Sequence, residues 1–259
     1  MDLGIAGRKA IVCASSRGLG RGCAMALAEA GCEVVINGRD PERLEQTAEE
    51  IRKATGATVI AVAADVSTKE GQDALFAACP EPDILVNNNG GPPFRDFREL
   101  DREKMLDGVV GNMVTPIELI QRSIDGMASR GFGRIVNVTS SSVKAPISGL
   151  DLSSGARAGL TAFLAGVARS VAGSNVTINN ILPGAIDTDR MRSGLERAAA
   201  QSDKDIEEVR QQRASQIPAK RFGTPEEFGQ ACAFLCSAQA GYITGQNLLI
   251  DGGAFPGAF

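Results

Sequence analysis

The chain contains no histidine, no tryptophan and a single tyrosine, Tyr242. Histidine and tyrosine are the side chains that most often pass a proton at a reacting carbonyl or hydroxyl, so their near absence leaves that chemistry to weaker or less usual groups. Zinc would have to be held without imidazole. The six cysteines, Cys13, Cys23, Cys32, Cys79, Cys232 and Cys236, include no Cys-x-x-Cys pair, which predicts buried free thiols and no metal site. Cys232 and Cys236 share a helical face, a spacing that is ordinary for apolar core. No stretch approaches the roughly 18 apolar residues that span a bilayer. Met1 to Gly7 leads into an apolar segment of about six residues, too short for a signal peptide and without a basic leader. A cytoplasmic protein with no membrane partner is expected. A formal charge of −4 gives no reason to expect a nucleic-acid partner.

What is present is a repeating alternation. With 259 residues, 43% of them hydrophobic, the chain can bury one large core, and a single domain over residues 1–259 is expected. Lys9 to Cys13 is a short apolar run before a glycine turn, followed by Gly20 to Ala30 with alanine, leucine and methionine at helical spacing. Glu33 to Asn37 and Thr58 to Ala63 read as strands, with a helix over Pro41 to Ala54 between them. Asp83 to Val86, Arg134 to Val138, Val176 to Ile181 and Gln246 to Ile250 are the later strands, and helices are expected near 101–129, 152–172 and 225–237. This alternation predicts an α/β protein: a doubly wound, seven-stranded parallel sheet with helices on both faces.

A nucleotide on such a sheet sits where the strand order reverses, with its pyrophosphate at the first strand-to-helix turn. That turn reads Cys13-Ala14-Ser15-Ser16-Arg17-Gly18-Leu19-Gly20. Its two glycines stand where backbone must approach phosphate or pack closely, at a helix amino terminus. Alone, it reads equally as a tight connection. Three further features follow in order: Asp65-Val66 after the third strand, Asn87-Asn88-Asn89-Gly90 after the fourth, and Pro183-Gly184 after the sixth. Together they make the chain resemble the classical short-chain dehydrogenase/reductase family over essentially its whole length. The resemblance implies one Rossmann domain, a nicotinamide dinucleotide and, commonly, a homotetramer. It carries cofactor-binding roles onto Ala14, Ser16, Arg17, Gly18, Leu19, Gly20, Asp65, Val66, Asn88, Asn89, Gly90, Pro183, Gly184 and Thr188. Cys13 and Ala14 stand where the family has Thr-Gly, and Asn89 where it has Ala, a change that would alter contacts near the adenosine ribose.

Charge selects between the two dinucleotides. An acidic residue after the second strand would bind the ribose diol, whereas a 2′-phosphate needs cations. Gly38-Arg39 stands there, and Arg17 precedes Gly18, so two guanidinium groups are available to one phosphate and NADP (NADPH) is favoured over NAD. Arg39 beside Asp40 is alternatively a solvated loop residue.

The family's catalytic set is an Asn, a Ser, and a Tyr and Lys four residues apart. Asn112 and Ser140 fit the first two positions. Thirteen residues after Ser140 the tyrosine position holds Ser153, and four further on the lysine position holds Arg157, with no gap. A serine hydroxyl is a poorer acid than a phenol by several pKa units, and loss of a positioned general acid typically costs about a hundred- to ten-thousand-fold in rate. Arg157 keeps a permanent positive charge able to bind ribose hydroxyls or a substrate carboxylate, but does not readily give up a proton. Asp151 and Lys144 lie near the vacant position along the chain, and Tyr242 is expected to serve packing.

The small-molecule substrate is expected between two variable segments. Residues 90–98 form a stiff turn in which Phe94 and Phe97 suggest an apolar wall. Residues 189–216 form a charged helical lid, with Arg190, Arg192, Arg197, Arg210 and Arg213 either solvated or facing an anionic group. The expected activity is NADP-dependent oxidation or reduction of a carbonyl or alcohol, of 3-oxoacyl type, with an atypical catalytic site. The alternatives are a nucleotide-binding sensor or structural partner, and a lyase or isomerase on the same scaffold.

Overall fold

A computed structural model of the chain describes residues 2–92 and 94–258. Seven strands, β1 (Lys9–Val12), β2 (Glu33–Gly38), β3 (Val59–Ala63), β4 (Ile84–Asn87), β5 (Gly133–Val138), β6 (Val176–Pro183) and β7 (Asn247–Ile250), form one sheet in the order β3-β2-β1-β4-β5-β6-β7. Every pairing is parallel. Parallel neighbours need crossovers, and helices supply them: α1 (Gly18–Glu29), α2 (Pro41–Thr55), α3 (Lys69–Ala78), α4 (Arg102–Val109), α5 (Thr115–Ser129), α6 (Asp151–Val171), α7 (Asp189–Ser202), α8 (Ile206–Gln216) and α9 (Pro225–Cys236).

Two apolar layers result. One face of the sheet packs Val12, Val34, Ile36, Val86 and Ile181 against α1, α2 and α9. The other packs Ile11, Val35, Leu85, Ile135 and Ile178 against α3, α5 and α6. Alternate residues of each strand thus point to opposite faces, and both faces are dry, which explains the unbroken apolar runs of the sequence. Helices α1 and α9 meet almost backbone to backbone. A Cβ on Gly22 would fall 2.1 Å from the Pro225 carbonyl oxygen, and one on Gly229 2.2 Å from that of Gly22. All six cysteines are free and buried, as expected. No helix among the described residues is long and apolar enough to cross a membrane.

Three differences from the sequence reading have physical causes. Helix α3 has only a narrow apolar stripe, Leu75 and Phe76, which hid it, although Thr68 marks its start by accepting a hydrogen bond from the Gly71 amide. The expected helix 101–129 is interrupted by a π turn over Val110–Val114. Pro116 has no N–H to donate to the carbonyl of Asn112, and the chain shifts register there, so that Thr115 N–H reaches back to Val110 O. The lid is two helices, because Asp203 ends α7 in a left-handed conformation (φ 52°) and Asp205 caps α8.

The strand order reverses between β1 and β4, which opens a crevice between their carboxyl ends. Beside it runs a line of asparagines in register across four strands. Asn87 Nδ2 donates to Asn137 Oδ1 (2.9 Å), Asn137 Nδ2 to Asn180 Oδ1 (3.1 Å), and Asn180 Nδ2 to Asn247 Oδ1 (2.8 Å). Asn87, Asn137 and Asn180 are buried, so each bond replaces one that water would otherwise have to make, and the ladder fixes the strand ends relative to each other.

Candidate active site

The phosphate turn is built by asparagines from neighbouring strands. Ala14 adopts a left-handed conformation (φ 44°), which costs a non-glycine residue about 1–2 kcal/mol. It is held there by its N–H donating to Asn37 Oδ1 (3.3 Å) and its carbonyl accepting from Asn88 Nδ2 (3.1 Å). Gly18 is also left-handed (φ 54°), and a Cβ on Gly20 would lie 2.3 Å from the Ala14 carbonyl oxygen. The carbonyl of Ser16 accepts from Thr47 Oγ1 on α2 (2.9 Å), and Leu19 packs into the core beneath.

The amino terminus of α1, which Arg17 precedes, has neither a side-chain cap nor an acidic residue in its first turn. Its free N–H groups and dipole suit an anion. A dinucleotide pyrophosphate therefore fits this turn, with Arg17 beside it.

The cations beside this turn pair with carboxylates of neighbouring segments. Arg39 is exposed after β2, its Nη1 4.0 Å from Asp65 Oδ2. Arg17 does not share a partner with Arg39; it shares one with Arg43, whose Nη2 lies 3.1 Å from Asp189 Oδ2 while Arg17 Nη1 lies 3.5 Å from the same oxygen. The Asp65 carboxyl is held below its ordinary pKa by the Ser67 hydroxyl and N–H, and secondarily by Arg39. Val66 is buried behind it.

Across the crevice, Arg157 is the centre of a second cluster of the expected site residues. It is buried on α6, one helical turn from Ser153, whose Oγ accepts from its Nε (3.2 Å). Its Nη1 donates to the carbonyls of Val138 (2.5 Å) and Thr139 (3.1 Å), and its Nη2 to that of Asn89 (3.4 Å). All four acceptors are neutral, and one of the five N–H donors is left over. Burial, then the nearby Arg190, lowers its pKa to about 10, so it is a cation throughout the neutral range. Its donors thus tie the end of β5 to the loop after β4. Four of the donors of this expected ribose or substrate anchor are thus engaged within the chain.

That clamp presents Ser140. Ser140 caps the short 3-10 turn Ser141–Val143, and its Oγ accepts from the Ser142 N–H (3.1 Å) and from Ser142 Oγ (2.9 Å). Accepting twice leaves its own hydroxyl hydrogen available to a ligand oxygen. Asn112 is buried in the π turn, with Nδ2 on the Gly108 carbonyl (3.1 Å) and Oδ1 without a partner. A cavity of about 260 Å³ adjoins it, lined among others by Gly90, Arg95, Lys104, Asp107 and Leu152.

Asn89 belongs to this side of the crevice as well. Its Nδ2 donates to the Gly111 carbonyl of the π turn (2.9 Å), and its Oδ1 accepts from Gly90 N–H. Its side chain therefore supports the neighbourhood of Asn112.

The lid rests on both lips. Pro183 ends β6, and Gly184 packs so closely that a Cβ would lie 2.6 Å from that of Asp251. Thr188 caps α7 by accepting from the Met191 N–H (3.3 Å), and its Cγ2 would lie 3.5 Å from a Cβ on Gly18. Arg190 donates to the carbonyls of Gly91 (3.2 Å) and Pro92 (3.0 Å). Arg210 pairs with Asp187 (2.6 Å) over the ring of Phe222.

The apolar wall expected from residues 90–98 is not formed by its phenylalanines: Phe94 and Phe97 are exposed, and Arg98 covers the Phe97 ring. Pro93 lies outside the described residues. Tyr242 is fully exposed on the single chain, which leaves subunit contact as the packing expected of it. Asp151 and Lys144 are exposed, and Lys144 stands over Phe255. The sequence reading missed Asn37, Arg43 and the first-turn carboxylate Asp189. Their partners are distant in sequence, and only Asn37, a polar residue inside an apolar strand, carried a local signal.

Residues 13–254 match the family model of enoyl-(acyl carrier protein) reductase. The chain is 32% identical over 252 residues to the NADPH-dependent reductase BacG of Bacillus subtilis, covering 95% of this chain and 97% of that protein. It is 34% identical over 262 residues to the 3-oxoacyl-[acyl-carrier-protein] reductase FabG of Aquifex aeolicus, covering 98% and 100%. Among solved structures, the L-sorbose reductase of Gluconobacter frateurii, complexed with NADPH and L-sorbose, matches with a TM-score of 0.94 at 30% identity, covering 99% of this chain and 100% of that one. With the seven-stranded parallel sheet and the phosphate turn in place, these likenesses along nearly the whole length show that the chain belongs to the short-chain dehydrogenase/reductase family.

Proposed function

We propose that the protein is an NADP(H)-dependent oxidoreductase acting on a carbonyl or alcohol of 3-oxoacyl type, in the cytoplasm, as a homotetramer. The observation that carries the cofactor half is the uncapped amino terminus of α1, backed by Gly20 and flanked by Arg17. Likeness to the NADPH-dependent BacG, and to a sorbose reductase seen with NADPH, supports the choice of dinucleotide. Likeness to FabG supports the substrate type. Exposed Met105, Leu106, Val110 and Val114 along α4 and the π turn offer an apolar subunit face, and light scattering at the mass of a monomer would overturn the tetramer.

Bound NADPH supplies a hydride. The chain's own residues bind and orient around it. The α1 amino terminus and Thr188 would hold the phosphates, and Arg39 with Arg17 would receive the 2′-phosphate. The Ser140 hydroxyl donates to the substrate oxygen. Arg157 keeps Ser140 in position through the Val138 and Thr139 carbonyls, and Ser153 through Arg157. In this reading the proton that a phenol would deliver to the substrate oxygen comes from water, by way of the cavity beside Asn112.

A second reading is a dinucleotide-binding sensor or partner protein without carbonyl turnover. It is favoured by the commitment of four Arg157 donors to Ser153 and the backbone. Calorimetric titration of the nucleotide-free protein with NADPH and NADH, followed by a carbonyl screen, separates these readings. Tight binding of NADPH, weaker binding of NADH and turnover of a 3-oxoacyl compound are expected. Binding of neither nucleotide contradicts both readings, and binding without turnover of any carbonyl favours the second.

A further inference from the structure

Asp189, the first residue of α7, is not required by any step above, yet it meets the cofactor cations. One oxygen, Oδ2, lies 3.1 Å from Arg43 Nη2 and 3.5 Å from Arg17 Nη1. Arg43 comes from the first turn of α2, Arg17 from the phosphate turn and Asp189 from the lid, so three separate segments converge on a single carboxylate oxygen. Such a site has the chemistry of a phosphate pocket: two guanidinium groups aimed at one anionic oxygen. Its occupant here is internal.

The carboxylate is presented rigidly. Thr188 caps the first turn of α7, and Arg190 anchors that turn to the Gly91 and Pro92 carbonyls on the opposite lip. Asp189 therefore does not have to be ordered in order to compete. Its partners keep about half of their side-chain surface in solvent or more, so a ligand can reach them, and each ion pair is weak enough to be exchanged.

We propose that Asp189 is a specificity-determining residue, an internal carboxylate that occupies Arg17 and Arg43 and must be displaced by the 2′-phosphate of the dinucleotide. A 2′-phosphate carries more charge and three acceptor oxygens, and Arg39 adds a third cation for it, so it replaces the two ion pairs that it breaks. A ribose 2′-hydroxyl, as in NADH, does not compete for these guanidinium groups, and Asp189 stays in place. The carboxylate thus lowers NADPH affinity while leaving NADH affinity nearly untouched, and it links the first turn of the lid to the nature of the cofactor.

This inference rests on the NADP reading, and the test separates the two. NADPH and NADH are titrated into the intact wild-type protein and into Asp189→Asn and Asp189→Glu by calorimetry. In Asp189→Asn the NADPH Kd is expected to fall about three- to tenfold, the exchange value of two exposed ion pairs, while the NADH Kd changes by less than about twofold. Asp189→Glu, which keeps the charge, is expected to return NADPH affinity towards wild type. An unchanged or raised NADPH Kd in Asp189→Asn overturns the proposal, as does an equal gain for NADH or a gain in Asp189→Glu as large as in Asp189→Asn. If the wild type binds NADH as tightly as NADPH, the NADP reading itself fails.

Discussion

The two lips of the crevice treat their arginines in opposite ways. On the cofactor side, Arg17, Arg39 and Arg43 are about half exposed or more and, among the described residues, pair with carboxylates that another anion can displace. On the catalytic side, Arg157 is buried and spends four donors on Ser153 and on fixed backbone carbonyls. An exposed guanidinium with exchangeable partners is a binding group. A buried one that ties strand ends together is part of the frame, and removing it leaves acceptors that nothing else satisfies. The same residue type thus stands in two settings, exposed with exchangeable partners on one lip and buried among fixed acceptors on the other.

If the exposed arginines bind cofactor, replacing Arg17 and Arg39 together with alanine should raise the NADPH Kd about a hundredfold or more, from two charge-assisted bonds, and leave the NADH Kd within about threefold. An equal loss for both nucleotides would show that these residues shape the turn instead. If Arg157 is a clamp, Arg157→Leu should lower the free energy of unfolding by about 3 kcal/mol in urea with an unchanged slope, because the Val138 and Thr139 carbonyls lose their donors. A variant of wild-type stability would make Arg157 a ligand-binding group after all. The smallest effect concerns pH. Arg157, with its pKa lowered to about 10, holds its proton below about pH 9, and the site contains no imidazole or phenol. Turnover is therefore expected to change less than about twofold between pH 6 and 9, with any loss beginning only as Arg157 releases its proton near pH 10. A clear inflection near pH 7 in kcat would reveal a titrating group that this account lacks.

Much of the cofactor side was legible in the sequence because its signals are local. Gly18 needs its left-handed conformation and Gly20 its missing side chain, Arg39 follows a strand directly, and the strands they join are unbroken apolar runs. The positions of Ser153 and Arg157 were equally readable by spacing from Ser140. What Arg157 does was not, because its acceptors are backbone carbonyls 18, 19 and 68 residues away, and main-chain oxygens carry no sequence signature. The π turn escaped for a related reason. One extra residue barely disturbs the apolar period, and only Pro116 marks the lost bond. Asn89 was readable as a departure from the family pattern, but its tie to Gly111 crosses 22 residues. Phe94 and Phe97 misled because aromatic residues in a turn suggest a wall, whereas these two face outwards.

The central claim is that an intact cofactor site faces a catalytic pair that has been replaced. It is tested most directly by comparing wild type with the double variant Ser153→Tyr/Arg157→Lys, measuring NADPH affinity and kcat/KM for carbonyl reduction on the same preparations. The account predicts an NADPH Kd within about threefold of wild type and a rate raised about a hundred- to ten-thousand-fold, the worth of a positioned general acid. A folded double variant that binds NADPH normally and reduces carbonyls no faster than wild type would contradict it.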